Sequence, residues 1–560
     1  MKTLFLRLSC HVSPPRLTGT LFMLLLLFFT FSTTIGQQQG SFDALMTRAE
    51  RTVFMETSHN EDVIKFIETL RTTSPLVAVE QFATSKLGNP LQLVIMANPK
   101  IHTPEEARSS GKPVIYIQGN IHAGEVEGKE ASMQLMREIA FGHRKYLLDN
   151  QIILFCPNYN PDGNDKFADN NRPSQEGSPK LTGVRASGEG LDLNREGMKA
   201  EAIEMKGLLK GVFNRWDPEL FMDLHTDNGS WHGYMVNVAP AFQSAGMPEP
   251  TLFTMELLKD AMHSVLDKSG INIFWHGYLN MRAIEQPSFT AYDHLPRYIA
   301  NYVGLRNRMG ILSETFPHEL FEKRILSNYF LLVSVLEYTG SHASEIKDVI
   351  TKADQSTIDL VKSQAGKIQR GVTYDLAAET DPIRMMIRET TPYTDANGRK
   401  RQRPTGNLKW IENVKHSNHF VPVKLSTVPR AYIFPAGLTA IAQKLEEHGI
   451  IVQKVAKKIK IEGEEYIISK YSKSEREGYG GHKTVSLEGS FKPVKKSVPA
   501  GSFYVDLAQP LAWLIFYLME PQSDDGLLYW NFFDEYLKNS GVEKGGVAYP
   551  VIKINTVPFF

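Results

Sequence analysis

Apolar positions are not spread evenly along this chain. From about residue 76 to 340, short continuous apolar runs alternate with longer stretches in which apolar residues recur every third or fourth position. The first texture marks strands buried on both faces and the second marks amphipathic helices. The runs at 76–82 and 91–96 flank Leu87-Gly88-Asn89-Pro90 and predict a hairpin. Further buried strands are expected at 113–118, 151–156, 219–224 and 309–313. Helices are expected at 125–139, 201–212, 252–266 (stopped by Gly270) and 321–338. This order predicts an α/β domain around a mostly parallel sheet.

Two stretches break the rhythm. Residues 164–195 have almost no apolar period, and a loop of that length in a compact domain is usually functional or disordered. Residues 271–304 are irregular and rich in aromatics. After about residue 345 the texture changes to a mixed α+β pattern, so the chain divides into 37–345 and a C-terminal domain, 346–560. In that second part we expect a helix at 347–367, a hairpin turn at Asp395-Ala396-Asn397-Gly398, and a solvated basic loop tip at 399–403. A strand–helix–strand unit is expected over 431–434, 438–447 and 450–452, and a fully buried segment at 511–519. Gly478-Tyr479-Gly480-Gly481 lacks the Lys-Ser/Thr of a phosphate loop and reads as flexible backbone. This half presents no catalytic constellation.

Composition narrows the class. At 560 residues the chain is too long for one ordinary core. It is 42% hydrophobic and 22% charged, as in soluble globular proteins. Lys+Arg and Asp+Glu both number 62, which argues against a nucleic-acid partner held by phosphate neutralisation. Lys2, Arg7 and Arg16 precede an apolar run at 21–32, too short to span a bilayer comfortably. Small residues then lead to Gln37, so residues 1–36 read as a signal peptide and the protein as secreted or periplasmic, without stable membrane association after cleavage. Cys10 lies inside that segment, which leaves Cys156 as the one cysteine and no internal disulfide.

The candidate chemistry sits at strand ends. His122-Ala123-Gly124-Glu125 follows the 113–118 strand, and an imidazole and a carboxylate at this spacing can close on one metal ion. The pair alone is a common coincidence. His225 follows the 219–224 strand and Glu314 the 309–313 strand. In open α/β sheets, ligands bind outside the carboxyl ends of the strands. Three such residues at three strand ends predict a metal site.

The order of motifs resembles the zinc carboxypeptidase (M14) family, in its secreted bacterial form with an extra C-terminal domain. The residues that carry the resemblance are His122-Ala123-Gly124-Glu125, Asn160-Pro161-Asp162-Gly163, Asp192-Leu193-Asn194-Arg195, His225 and Ser313-Glu314-Thr315-Phe316, across about 45–345. The resemblance implies a mixed, mostly parallel sheet with helices on both faces. It implies one zinc ion on His122, Glu125 and His225, with Glu314 as the general base and proton shuttle. Asn194 and Arg195 would hold the terminal carboxylate of a peptide substrate, and Asp192 would orient His122. An arginine in the long loop would stabilise the oxyanion; Arg172 is the first choice and Arg185 its rival. Tyr292 would be the mobile tyrosine, with Tyr298 and Tyr302 close enough to compete. His232, His276, His294 and His318 read as rim or structural residues.

The expected activity is a zinc metallocarboxypeptidase removing C-terminal residues from peptides with a free carboxylate. Its rivals are a zinc amidohydrolase or cell-wall peptide peptidase on the same scaffold, and a catalytically silent binding protein. Asn228-Gly229-Ser230 is a formal glycosylation sequon, but a glycan there would block the crevice beside His225. Side-chain preference, oligomeric state and the role of 346–560 are not legible.

Overall fold

A computed structural model describes residues 44–557, except 176, 178, 228, 243–244, 282–285 and 395–397. The signal segment at 1–36, most of the 395–398 turn and the sequon's Asn228 therefore lie outside the described residues. The described residues from Thr47 onward make one compact unit.

Eight strands form the central sheet: β1 (Val77–Thr84), β2 (Pro90–Met96), β3 (Val114–Gly119), β4 (Ile152–Cys156), β5 (Leu220–Thr226), β6 (Val236–Pro240), β7 (Ile273–Trp275) and β8 (Met309–Thr315). Their spatial order is β1-β2-β4-β3-β5-β8-β6-β7. β4, β3, β5 and β8 run parallel to one another, while β1 with β2, β2 with β4, and β8 with β6 are antiparallel. The sheet is thus mixed, with a parallel centre.

Every residue of β3 and β5 is buried, which requires cover on both faces. The main helices of this part are α1 (Asn60–Thr73), α2 (Glu127–Ala140), α3 (Pro248–Ser269), α4 (Ile299–Leu305), α5 (Phe321–Ser341) and α6 (Ala343–Gln364), of which α2 and α4 pack on β5. Leu224 and Phe221 point to opposite faces of β5 because side chains alternate along a strand. A Cβ on Gly128 would lie 2.5 Å from the Leu224 Cβ, so α2 lies on that face at a distance only glycine permits. Phe221 meets Phe213 on the other face, with ring centroids 5.8 Å apart. The helix at Ile203–Leu208 continues there as a π-turn, Leu209–Phe213. Among the described residues no helix is long and apolar enough to cross a membrane.

Strands from beyond residue 345 extend the fold. β9 (Gln369–Ala378) and β10 (Ile383–Thr394) pair antiparallel with the long β11 (Lys400–Thr427). β11 also pairs in parallel with Ser288–Ala291, which is itself joined to Gly277–Asn280. The irregular 271–304 stretch therefore contains strands whose partners come from sequence far downstream. Residues 400–403, read as a loop tip, are strand residues pairing with β10. The basic run gave no strand signal because it carries no apolar position, and its partners Thr391–Thr394 are exposed or half-buried.

A six-stranded antiparallel sheet closes the chain. In it, Ala431–Phe434 and Gln453–Lys454 flank Phe503–Asp506, with the helix Thr439–Glu447 between them in sequence. The expected strand–helix–strand order holds, but 450–452 is not a strand and the two strands are not neighbours. The helix α7 (Ala512–Met519) is buried at all eight positions.

Candidate active site

Residues at the carboxyl ends of β3, β5 and β8 come together. Glu314 stands directly across from His225 in the parallel β8–β5 register, so the two share a face of the sheet. Gly119 pairs with Leu224, and β3 then breaks into a turn through Asn120, whose φ is +64°. Asparagine tolerates this left-handed geometry, and its side-chain amide is fixed by donating to Asn158 (2.7 Å) and Asn164 (2.9 Å). The turn places His122 beside His225. Glu125 N donates to His122 O at 2.8 Å, so Glu125 lies in the turn ahead of α2 rather than within the helix.

The Nδ1 atoms of His122 and His225 are 3.2 Å apart. Glu125 Oε1 is 3.0 Å from the first and its Oε2 is 2.9 Å from the second. Two imidazole nitrogens and a carboxylate, all within 4.8 Å of one another, form a possible metal site. The donor set suits zinc, which takes imidazole nitrogen and carboxylate oxygen. The outer ring nitrogens also fit. His122 Nε2 is 3.1 Å from Asp192 Oδ1, and His225 Nε2 is 3.0 Å from Asp223 Oδ2. A carboxylate behind each imidazole fixes its tautomer and leaves Nδ1 free to coordinate. Asp192 is the residue that the resemblance sets behind His122. Asp223 was missed, although it lies two residues before His225 and so on the same face of β5.

Charge is dense and buried here. Burial opposes ionisation of Glu125, but the facing His122 ring and the Arg172 guanidinium outweigh it and hold the carboxyl well below the usual range. Burial likewise works against charge on His225, yet Asp223 and Glu125 lift it well above an ordinary imidazole. Clustered donors of this kind favour a cation at their centre. Burial raises the Glu314 carboxyl well above its usual value; His225 counteracts this, while Glu125 and Asp227 add to it. Among the described residues the Glu314 carboxylate has no hydrogen-bond partner.

These groups open on a cavity of about 280 Å³ whose wall includes His122, Glu125, Arg185, Asp192, Arg195, Tyr298, Glu314 and Tyr479. Arg185 donates through Nε to Asp192 (3.0 Å), and its Nη1 lies 3.2 Å from His122 Nδ1. Arg172, the first choice for the oxyanion, is not in the wall. It reaches Glu125 Oε1 at 2.5 Å. The aperiodic loop thus delivers both arginines, but only Arg185 faces the cavity. A Cβ on Gly124 would meet Arg172 Cγ at 2.5 Å, so the glycine between His122 and Glu125 lets the loop close over them.

Arg195 donates to Asn194 O at 2.7 Å, and its Nε is buried with no hydrogen-bond partner among the described residues. A buried, unsatisfied guanidinium N–H calls for an acceptor. Asn194 accepts from Ile299 N (3.1 Å), and its Nδ2 lies 3.4 Å from His225 Nε2. Tyr292 lines the cavity, but its hydroxyl donates to Asn301 Oδ1 at 2.8 Å. Tyr302 is fully buried and bonded to His448, whereas Tyr298 lies 4.4 Å from the Arg195 carbon. His232 pairs with Asp227 (2.9 Å) and His318 stacks on Trp231. His294 packs on Phe420. His276 separates the cavity from a larger one of about 750 Å³, and burial pushes its pKa down to about 4. Tyr479 enters the wall from a segment read as flexible backbone; no local sequence signal marks it.

Comparison with known proteins gives a consistent result. Residues 63–220 match the family model described as zinc carboxypeptidase. Carboxypeptidase 2 of Trichophyton equinum is 22% identical over 447 residues, covering 75% of this chain and 74% of its own. Carboxypeptidase D of Homo sapiens is 30% identical over 91 residues, covering 15% of this chain and 7% of its own. A metallo-carboxypeptidase structure from Burkholderia cenocepacia superposes with a TM-score of 0.38 at 17% identity, covering 50% of this chain and 69% of its own.

Proposed function

We propose that this chain, whose residues 63–220 match the zinc carboxypeptidase family, is a metallopeptidase that removes single residues from the free C-terminus of peptides with one zinc ion held by His122, Glu125 and His225. The carrying observation is the closure of those three donors beside Glu314 on adjoining parallel strands.

Zinc bound there would lower the pKa of water toward neutrality and polarise the scissile carbonyl. The rest is done by the chain. Glu314, in the cavity wall and without a competing hydrogen bond, accepts a proton from the attacking water as the new C–O bond forms. It then delivers that proton to the departing amine as the C–N bond breaks, one carboxylate serving as base and then acid. Arg185, in the wall beside His122, is positioned for the oxyanion, a role that sequence reading gave first to Arg172. Arg195 offers its unsatisfied Nε–H to the terminal carboxylate, which a guanidinium fork matches in bidentate geometry. Asp192 and Asp223 orient the two imidazoles.

The test is incubation with a peptide of known sequence, in free-acid and amidated forms, with and without chelator, read by mass spectrometry. Sequential loss of C-terminal residues from the free acid, abolished by chelator and restored by zinc, is expected. Internal cleavage, or equal attack on both forms, contradicts the proposal. We also propose export of the chain, supported by the basic start and the apolar run at 21–32; an exported protein beginning at Gln37 on N-terminal sequencing is the expected result.

A further inference from the structure

The cavity wall includes one residue from beyond residue 345, Tyr479, and it touches the arginine that matters most for recognising a chain end. The Arg195 guanidinium carbon lies 4.7 Å from the centroid of the Tyr479 ring and 4.4 Å from that of Tyr298. Burial lowers the Arg195 pKa, and Asp192, Tyr298 and then Tyr479 outweigh it. An aromatic face within about 6 Å of a guanidinium attracts it, and more strongly where water is partly excluded. Ring contact restrains the guanidinium plane and leaves its N–H edge available to an acceptor.

Tyr479 is not there by chance of a loose loop. Its turn closes on itself, with Gly478 N donating to His482 O (2.8 Å) and Ser474 N to Thr484 O (2.9 Å). His482 ties the turn to the first half of the chain, where Nε2 meets Glu201 Oε2 at 2.8 Å, while Nδ1 meets Asn531 Oδ1 of the second half at 3.0 Å. A Cβ on Gly480 would sit 3.3 Å from Lys199 Nζ, so the turn lies directly on the Asn194–Lys199 segment that carries Arg195. The Tyr298 side of the contact is fixed from the same half of the chain. Asp525 accepts from Arg297 N (2.6 Å) and Arg297 Nε (3.0 Å).

We propose that Tyr479 is a positioning residue for C-terminal recognition: with Tyr298 it holds the Arg195 guanidinium in the plane that receives the substrate's terminal carboxylate, making the C-terminal half of the chain part of the specificity site. This rests on the reading of Arg195 as the carboxylate fork.

The test compares wild type, Tyr479→Phe and Tyr479→Ala on one peptide in free-acid and amidated forms. Tyr479 is 41% exposed at the tip of a turn, so neither variant is expected to shift the melting temperature. Tyr479→Ala should raise KM for the free acid about tenfold with kcat nearly unchanged, the pattern of lost carboxylate binding. The preference for free acid over amide should fall by the same factor. Tyr479→Phe, which keeps the ring and loses the hydroxyl, should fall between. Wild-type KM and discrimination in Tyr479→Ala overturn the role, as does a loss confined to kcat. A wild-type protein that attacks acid and amide equally overturns the carboxylate fork itself, and is seen without any variant.

Discussion

At Glu314 one atom separates a proton acceptor from a bystander. Glu314→Gln keeps size and polarity but cannot take the proton of water. It should lower kcat roughly 10²–10⁴-fold while bound metal stays unchanged. Steady-state kinetics beside metal analysis checks this, and turnover at the wild-type rate would mean that another group is the base. The two loop arginines should separate in a similar way. Arg185→Ala removes a donor from the cavity wall and should cost about 10²–10³ in kcat. Arg172→Ala acts through Glu125 and should instead weaken metal affinity about 10–100-fold. At this scale the sequence was informative where chemistry coincides with strand ends. His122, Glu125, His225 and Glu314 meet in the structure because the strands that carry them are neighbours. The choice between Arg172 and Arg185 was not legible, because an aperiodic loop gives no clue to which side chain faces inward.

Elements set what those residues can reach. The 474–484 turn is held by the His482–Glu201 pair, 281 residues apart in sequence. The hydrogen bond to Glu201 raises the His482 pKa; burial and the nearby Lys199 act against it, and Asn531 supports it. A histidine with a raised folded pKa contributes stability that is fully present below its unfolded value, near 6.5, and is lost as pH rises through the folded value. The tether should therefore be strongest in mild acid. The difference in melting temperature between wild type and His482→Ala should shrink as pH rises from about 6 to about 9; a difference independent of pH would show that the charge of His482 does not matter. The positions of the central strands and main helices in the first half were readable because fully buried strands print continuous apolar runs. The β10–β11 ribbon was not, since its exposed residues print no such run. Nothing in Gly478-Tyr479-Gly480-Gly481 could announce a contact made across the fold.

Across the whole molecule, the C-terminal half is built into the first. β11 continues a sheet begun by Ser288–Ala291, and the buried Arg297–Asp525 pair lies directly behind Tyr298. Asp525 also accepts from Trp530 Nε1 at 2.8 Å. Removing one member of such a pair leaves an uncompensated charge in the interior. Asp525→Ala should therefore destabilise the protein by roughly 3–5 kcal/mol. Denaturant unfolding measures this directly, and a cost below about 1 kcal/mol, as for a surface pair, would contradict the role given to the junction. The change in texture near residue 345 marks where the pattern changes, but it could not show that strands on either side of it pair with each other.

The most direct test of the account is the metal content of the purified protein and of His225→Ala, measured after identical dialysis. One zinc per chain in the wild type and a large loss in the variant is the expected result. Full occupancy in His225→Ala, or a fully active wild type without metal, would contradict it.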